Sequence, residues 1–80
     1  MLGEKQEMVS QQDAQKITKE YVKKKKNVDK VDIIATEEKG EGYLVRGTCP
    51  IDVEGHPWME KFEIAIDDKG KVKESEFKLM

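Results

Sequence analysis

Cys49 and His56 are the one thiol and the one imidazole of the chain, seven residues apart. A thiolate beside an imidazole can work as nucleophile and base, but the pair also needs an oxyanion hole and a third group that orients the base. No residue pattern around Cys49 marks either. As metal ligands the two also fall short, because structural zinc takes four ligands, usually in two close pairs. Asp52, Glu54 and Glu60 lie near His56, yet with 17 acidic residues in a chain of 80 such neighbours arise from composition alone. The simpler reading is a half-buried strand cysteine and a loop histidine. It predicts no catalytic residue, no metal and no cofactor, in a protein that is not an enzyme.

Four other stretches invite a chemical reading. Lys23, Lys24, Lys25 and Lys26, followed by Lys30, are the one concentrated charge in the chain. They are the alternative binding site, for nucleic acid or another acidic partner. Four consecutive lysines point around a helix, however, so only two or three can follow one phosphate track. No arginine cluster is present for bidentate base reading. Gly40-Glu41-Gly42 lacks the third glycine of a phosphate loop, and its glutamates repel phosphate. Asp67-Asp68 offers two carboxylates, too few for a calcium cage. Both read as turns. The fourth stretch, residues 50–59, sets His56, Trp58 and Met59 beside a proline-stiffened turn. Tryptophan is enriched among interface hot spots, and proline lowers the ordering entropy lost on binding. The competing reading makes Trp58 a cap on one end of the core.

The totals bound these choices. An 80-residue chain makes one domain, and its core must be small. Fifteen basic against seventeen acidic residues leave a net charge of −2, with the signs interspersed, so no global field draws in nucleic acid. Nucleic acid is therefore disfavoured as a partner. One cysteine excludes an intrachain disulfide. No apolar run approaches the roughly 20 residues that span a bilayer, and the first residues lack the apolar centre of a signal peptide. A cytoplasmic protein without a membrane partner is the expectation. Lys/Glu enrichment hints at a thermophile composition.

These residues need elements to position them. Residues 1–9 show no pattern and read as a flexible lead-in, with Met8 or Val9 available to fold back as a staple. Residues 10–80 read as a single α+β domain. Ser10 is a helix N-cap with Asp13 three residues on, and nothing breaks a helix from Gln11 to about Lys26. Ala14, Ile17 and Tyr21 define its apolar stripe with Val22 at the flank, and Asn27 is a left-handed stop. The period then becomes two. Val31, Ile33 and Ala35 face one way in a first strand. Tyr43, Val45, Gly47 and Cys49 do so in a second, where Gly47 marks a bulge or bend. Pro50 to Pro57 reads as irregular, although Ile51 and Val53 could extend a two-stranded arm. Phe62, Ile64 and Ile66 alternate in a third strand, Asp67–Gly70 turns, and a fourth strand runs through Val72 and Phe77. The last two differ in parity, so a bulge lies between them. Short connections favour an antiparallel meander. The predicted architecture is one N-terminal helix packed on a four-stranded antiparallel meander sheet, αββββ, with Phe62, Ile64 and Ile66 as the helix's floor. Ile34 and Leu44 fall on the opposite face as an exposed patch.

The helix, the antiparallel strands and the closing run Phe62, Ile64, Ile66, Asp67, Gly70, Val72, with Tyr43 and Val45 before it, resemble the small PepSY domains. More loosely the chain is similar to the cystatin-type helix-on-curled-sheet domains. The likeness in fold covers roughly residues 11–77, and the motif itself about eleven. The chain departs from the PepSY pattern in lacking an export signal and in the proline-bearing segment between strands two and three. The resemblance implies a non-catalytic domain that binds or restrains a peptidase or another protein. Taken together, the sequence predicts a small protein-interaction domain, meeting a protein partner or a second copy of itself through Ile34 and Leu44 on the sheet face, through residues 50–59, or by pairing of edge strands.

Overall fold

The computed structural model describes residues 9–80. Helix α1 (Gln11–Lys26) is followed by β1 (Asp32–Lys39), β2 (Gly42–Val53), β3 (His56–Asp67) and β4 (Val72–Leu79). The strands form one open antiparallel sheet in the order β1-β2-β3-β4, with α1 packed on one face. This is the αββββ arrangement expected from the periodicity. Residues 1–8 of the predicted lead-in lie outside the described residues. Val9 is tied down, its amide donating to the Asp68 carbonyl at 3.1 Å.

The helix begins where Ser10 Oγ accepts from the Asp13 amide at 3.1 Å. It ends where Asn27 enters the left-handed region at φ 56° and Lys23 O accepts the amides of Asn27 and Val28. Its buried line is not the one predicted. Ala14, Thr18 and Val22 are fully buried, while Ile17 and Tyr21 flank them half-buried. Small side chains at four-residue spacing let the helix sit close to the sheet. Thr18 is tolerated there because its hydroxyl donates to Ala14 O at 2.8 Å, so no polar atom is left unpaired. Two lateral bonds fix the helix across the sheet: Gln15 Nε2 donates to Thr36 Oγ1 of β1 at 2.8 Å, and the Tyr21 hydroxyl bonds Ser75 Oγ of β4 at 3.1 Å.

Beneath the helix lie Val45, Cys49, Phe62, Ile64 and Ile66, all buried, with Val31 at one side. The predicted floor of Phe62, Ile64 and Ile66 is in place. In β1 the predicted inward row fails after Ile33. Ile33 pairs with Gly47 and Ala35 with Arg46, so Ile34 is an extra residue and the parity flips. Thr36, opposite Val45, faces the helix where Ala35 was expected, and Ala35 is exposed. In β4 the expected irregularity between Val72 and Phe77 is present. Ile66 pairs with Val72 and Ala65 with Glu74, leaving Lys73 extra.

Gly47 sits beside the β1 bulge for a steric reason. A Cβ there would lie 2.1 Å from the carbonyl oxygen of Asp32 and 2.6 Å from the Phe62 ring. The bulge brings β1 backbone in on one side, and Phe62 lies over the glycine on the other. Gly47→Ala is expected to cost about 3 kcal/mol, the upper end for overpacking, because backbone must shift. Urea denaturation measures it, and a loss below about 0.5 kcal/mol would mean that strand β1 is not held at this distance.

Candidate functional site

Strands β2 and β3 have 12 residues each and run about 40 Å, whereas the 16-residue helix covers about 24 Å. The flanking strands are short too. β1 reaches only Thr48, and β4 reaches Glu60 through Leu79, with the Met80 amide donating to Met59 O at 3.0 Å. Residues Pro50–Val53 and His56–Met59 therefore project as a two-stranded arm past the end of the helix.

The arm corrects the expectation of an irregular segment, since pairing runs unbroken from Cys49↔Glu60 to Val53↔His56. The two-residue loop Glu54-Gly55 has positive φ at both positions, 52° and 86°, the conformation whose twist matches a hairpin. Val53 and His56, which flank this loop, exchange hydrogen bonds, and narrow and wide pairs then alternate down the ladder. Pro57, opposite Asp52, and Pro50, opposite Met59, both fall on pairs that exchange none. Their nitrogens point away from the ladder, toward the two free edges of the arm. Each proline thus blocks one edge against strand addition without weakening the hairpin.

Alternation along β3 places Trp58 on the helix-facing side, in line with Glu60 and Phe62, but beyond the helix end. It pairs with Ile51 and is 47% exposed. Trp58 therefore does not cap the core. Leu79, opposite Glu60 on the same side, is 56% exposed, and Val53 at the tip is also exposed. These side chains continue the core's surface without cover. Met59 and Pro57 point to the opposite face, and His56 lies exposed at the tip.

The other predicted sites fare differently. Ile34 is 68% exposed as the bulged residue of β1, and Leu44 is half-buried on the same outer face. They do not form one patch. Arg46 lies between them, bonded through Nε to Glu63 Oε2 at 2.8 Å and 3.7 Å from Glu37 through its other arm. Of the four lysines, Lys26 turns away from solvent: its Nζ lies 3.1 Å from Glu60 Oε1 and 4.4 Å from the centre of the Phe77 ring. The contact is an ion pair made at a largely buried carboxylate oxygen. Lys23, Lys24 and Lys25 remain exposed.

Cys49 and His56 are not brought together. His56 pairs at the tip and Cys49 pairs with Glu60, four residue steps away, roughly 13 Å along the arm. Cys49 is fully buried under the helix. Its thiol is pushed above the ordinary range, first by desolvation and then by the Glu60 carboxylate, with Lys26 opposing. In the β3–β4 turn, Asp67 Oδ1 accepts the amides of Lys71 and Lys69, both at 2.9 Å, and the first of these does most to hold its carboxyl below the usual range. That carboxylate is committed to its own turn. Among the described residues no three His, Cys, Asp or Glu side chains gather as metal donors, and no helix is long and apolar enough to cross a membrane.

The sequence marks Trp58 but not Leu79, because the pattern of the fourth strand carries only to Phe77, whereas the strand itself runs to Leu79. Comparison with protein-family models, with curated proteins and with solved structures gives no match.

Three outcomes follow from the buried root of the arm. Iodoacetamide should alkylate Cys49 in the folded protein far more slowly than a model thiol at neutral pH, and a rate equal to or above the model's would contradict the burial. Because the thiol is raised in the folded state, its contribution to stability is present at neutral pH and is lost as pH climbs through and above the ordinary thiol range. Lys26→Ala leaves Glu60 without its cation and removes the charge over Phe77, at a cost of about 1–3 kcal/mol. Adding Glu60→Gln should recover part of that loss in the same denaturation measurement.

Proposed function

We propose that this chain is a non-catalytic protein-interaction domain whose contact surface is the helix-facing side of the β2–β3 arm. The observation that carries the reading is Trp58. A large aromatic ring is half-exposed on the side of the sheet that elsewhere forms the core, flanked by Leu79 and Val53, which are exposed as well. Tryptophan can bury 150–250 Å² (~200 Å²) of mostly apolar surface while losing little rotamer freedom, which makes it a strong contact residue. The ladder beneath it is paired without a break and carries a proline on each edge, which limits the ordering entropy lost on binding. The outer sheet face supports the reading less well, because Arg46 and its two glutamates divide Ile34 from Leu44. Edge pairing is disfavoured by the bulge in β1, the prolines of the arm and the charges of β4. The resemblance to PepSY-like and cystatin-type domains supports a binding role by analogy of fold alone.

The alternative, an acidic partner at the helix end, loses Lys26 to Glu60 and Phe77 and retains Lys23, Lys24 and Lys25. Salt separates the two readings, since a contact through lysines weakens steeply with ionic strength and an apolar contact persists.

Trp58→Ala should leave the thermal midpoint within a degree or two (~1–2 °C), since the ring is outside the core. Affinity capture with the wild type, Trp58→Ala, Ile34→Ala and Lys24→Ala in parallel should then lose its bound proteins for the Trp58 variant alone. Bound proteins that survive Trp58→Ala and disappear with Ile34→Ala or Lys24→Ala would move the contact to the sheet face or the helix end.

A further inference from the structure

Strand β4 is an edge of the sheet, and the charges on its outer face lack counterparts within the ladder. Glu76 stands directly across from Glu63, and Lys78 directly across from Lys61. Like charges in facing positions destabilise a sheet. Glu63 already holds Arg46 at 2.8 Å, and among the described residues neither Glu76 nor Lys78 forms an ion pair. Each is left to find an opposite charge on its other side, where the sheet ends. The backbone of β4 is open in the same direction. Because Val53 and His56 exchange hydrogen bonds beside their two-residue loop, alternation directs Met59, Lys61 and Glu63 toward β4. The bond from the Met80 amide to Met59 O has this parity. Ser75, Phe77 and Leu79 therefore turn their N–H and C=O groups to the free edge, with neither proline nor bulge from Glu74 to Leu79.

We propose that two copies of this chain pair β4 to β4, antiparallel, about a twofold axis at Phe77, so that their sheets become one. Phe77 then exchanges hydrogen bonds with Phe77 of the second copy, and Ser75 does so with its Leu79. In that register Glu76 faces Lys78 of the second copy and Lys78 faces its Glu76, at the closer side-chain spacing of a pair without hydrogen bonds. The two neighbouring registers centre on Glu76 or on Lys78 and put a like pair on the axis. The charges of β4 thus turn away an arbitrary strand and accept a copy of their own. The pairing is isologous, and β1 at the other edge is broken by its bulge at Ile34, so head-to-tail growth is not offered. This contact goes beyond the arm reading and does not rest on it: Trp58 stands on β3, past the last residue of β4. A single edge is small beside the roughly 800 Å² per partner of a standard interface, so the association is reversible and concentration-dependent.

Sedimentation velocity of the whole chain over a wide concentration range, at low ionic strength, tests this. The wild type should move from monomer toward dimer as concentration rises. Glu76→Lys and Lys78→Glu should each weaken the association roughly tenfold, because two facing pairs turn from attractive to repulsive. Mixed one to one, the two variants should associate more tightly than either alone, since every facing pair is again of opposite sign. Each substitution also removes a like-charge pair inside the chain, against Glu63 or Lys61. Urea denaturation should therefore find both variants at least as stable as the wild type, which separates lost pairing from lost fold. Leu79→Pro removes an outward N–H, leaves the ladder to β3 intact, and should weaken the association too. Trp58→Ala should associate as the wild type does. A wild type that stays monomeric throughout, or a mixture no tighter than its components, overturns the β4 pairing. So does an association lost with Trp58→Ala and kept by both charge variants, which would put the second copy on the arm instead.

Discussion

One helix has to cover a sheet that is longer than it is. The 16 residues of α1 span about 24 Å over strands of about 40 Å, and the remaining features answer to that mismatch. Under the helix the sheet buries Val45, Cys49, Phe62, Ile64 and Ile66. Past its last turn the same face continues with Ile51, which still packs half-buried against the core, and then with Trp58 and Val53, which are exposed. Lys26 stands at the boundary. Its charge sits over Phe77 and beside Glu60, both on the covered face, and it pins the end of the helix where the core gives way to the arm. The ion pair is unlikely-looking only if its surroundings are ignored: a carboxylate 10% exposed needs a cation close by, and the last helical lysine is the one that can reach it.

The open sheet also has edges to protect, and different devices serve different stretches. A bulge disrupts β1, two lysines and two glutamates line β4, and a proline guards each side of the arm. The arm's solution is economical in structure, because a proline on a non-hydrogen-bonded pair removes an outward donor and leaves the inward ladder whole. The same placement explains why two prolines in eight residues do not interrupt the hairpin.

Much of this was legible in the residues. The helix from Gln11 to Lys26, its Ser10 and Asn27 ends, four strands in a meander and the floor of Phe62, Ile64 and Ile66 all follow from period and caps. What periodicity could not show was a change of period within a strand. The bulge at Ile34 moves Thr36 inward and Ala35 outward, and Thr18 lies fully buried because its hydroxyl is satisfied inside its own helix. Both are polar residues that a hydrophobic pattern reads as surface. The arm was foreseen only as an option for Ile51 and Val53, since composition shows that prolines are present but not which side of a ladder their nitrogens face. Trp58 was recognised as distinctive, whereas its lack of cover depends on where the helix ends in space. The outer-face pairing of Arg46 with Glu63, which divides Ile34 from Leu44, joins residues 17 apart through strand register and could not be read from sequence spacing.

Every strand pairs with its neighbour in sequence, so each ladder closes over a short loop and loses little chain entropy in doing so. The helix is the exception. Its hydroxyl tether from Tyr21 to Ser75 spans 54 residues, from the first element of the chain to the last. During synthesis α1 emerges before the strands that receive it, and its clamp on β4 cannot close until Ser75 has left the ribosome. The hairpins can zip as they appear, and the helix gains its Gln15–Thr36 tether to β1 early but its Tyr21–Ser75 tether only with the fourth strand.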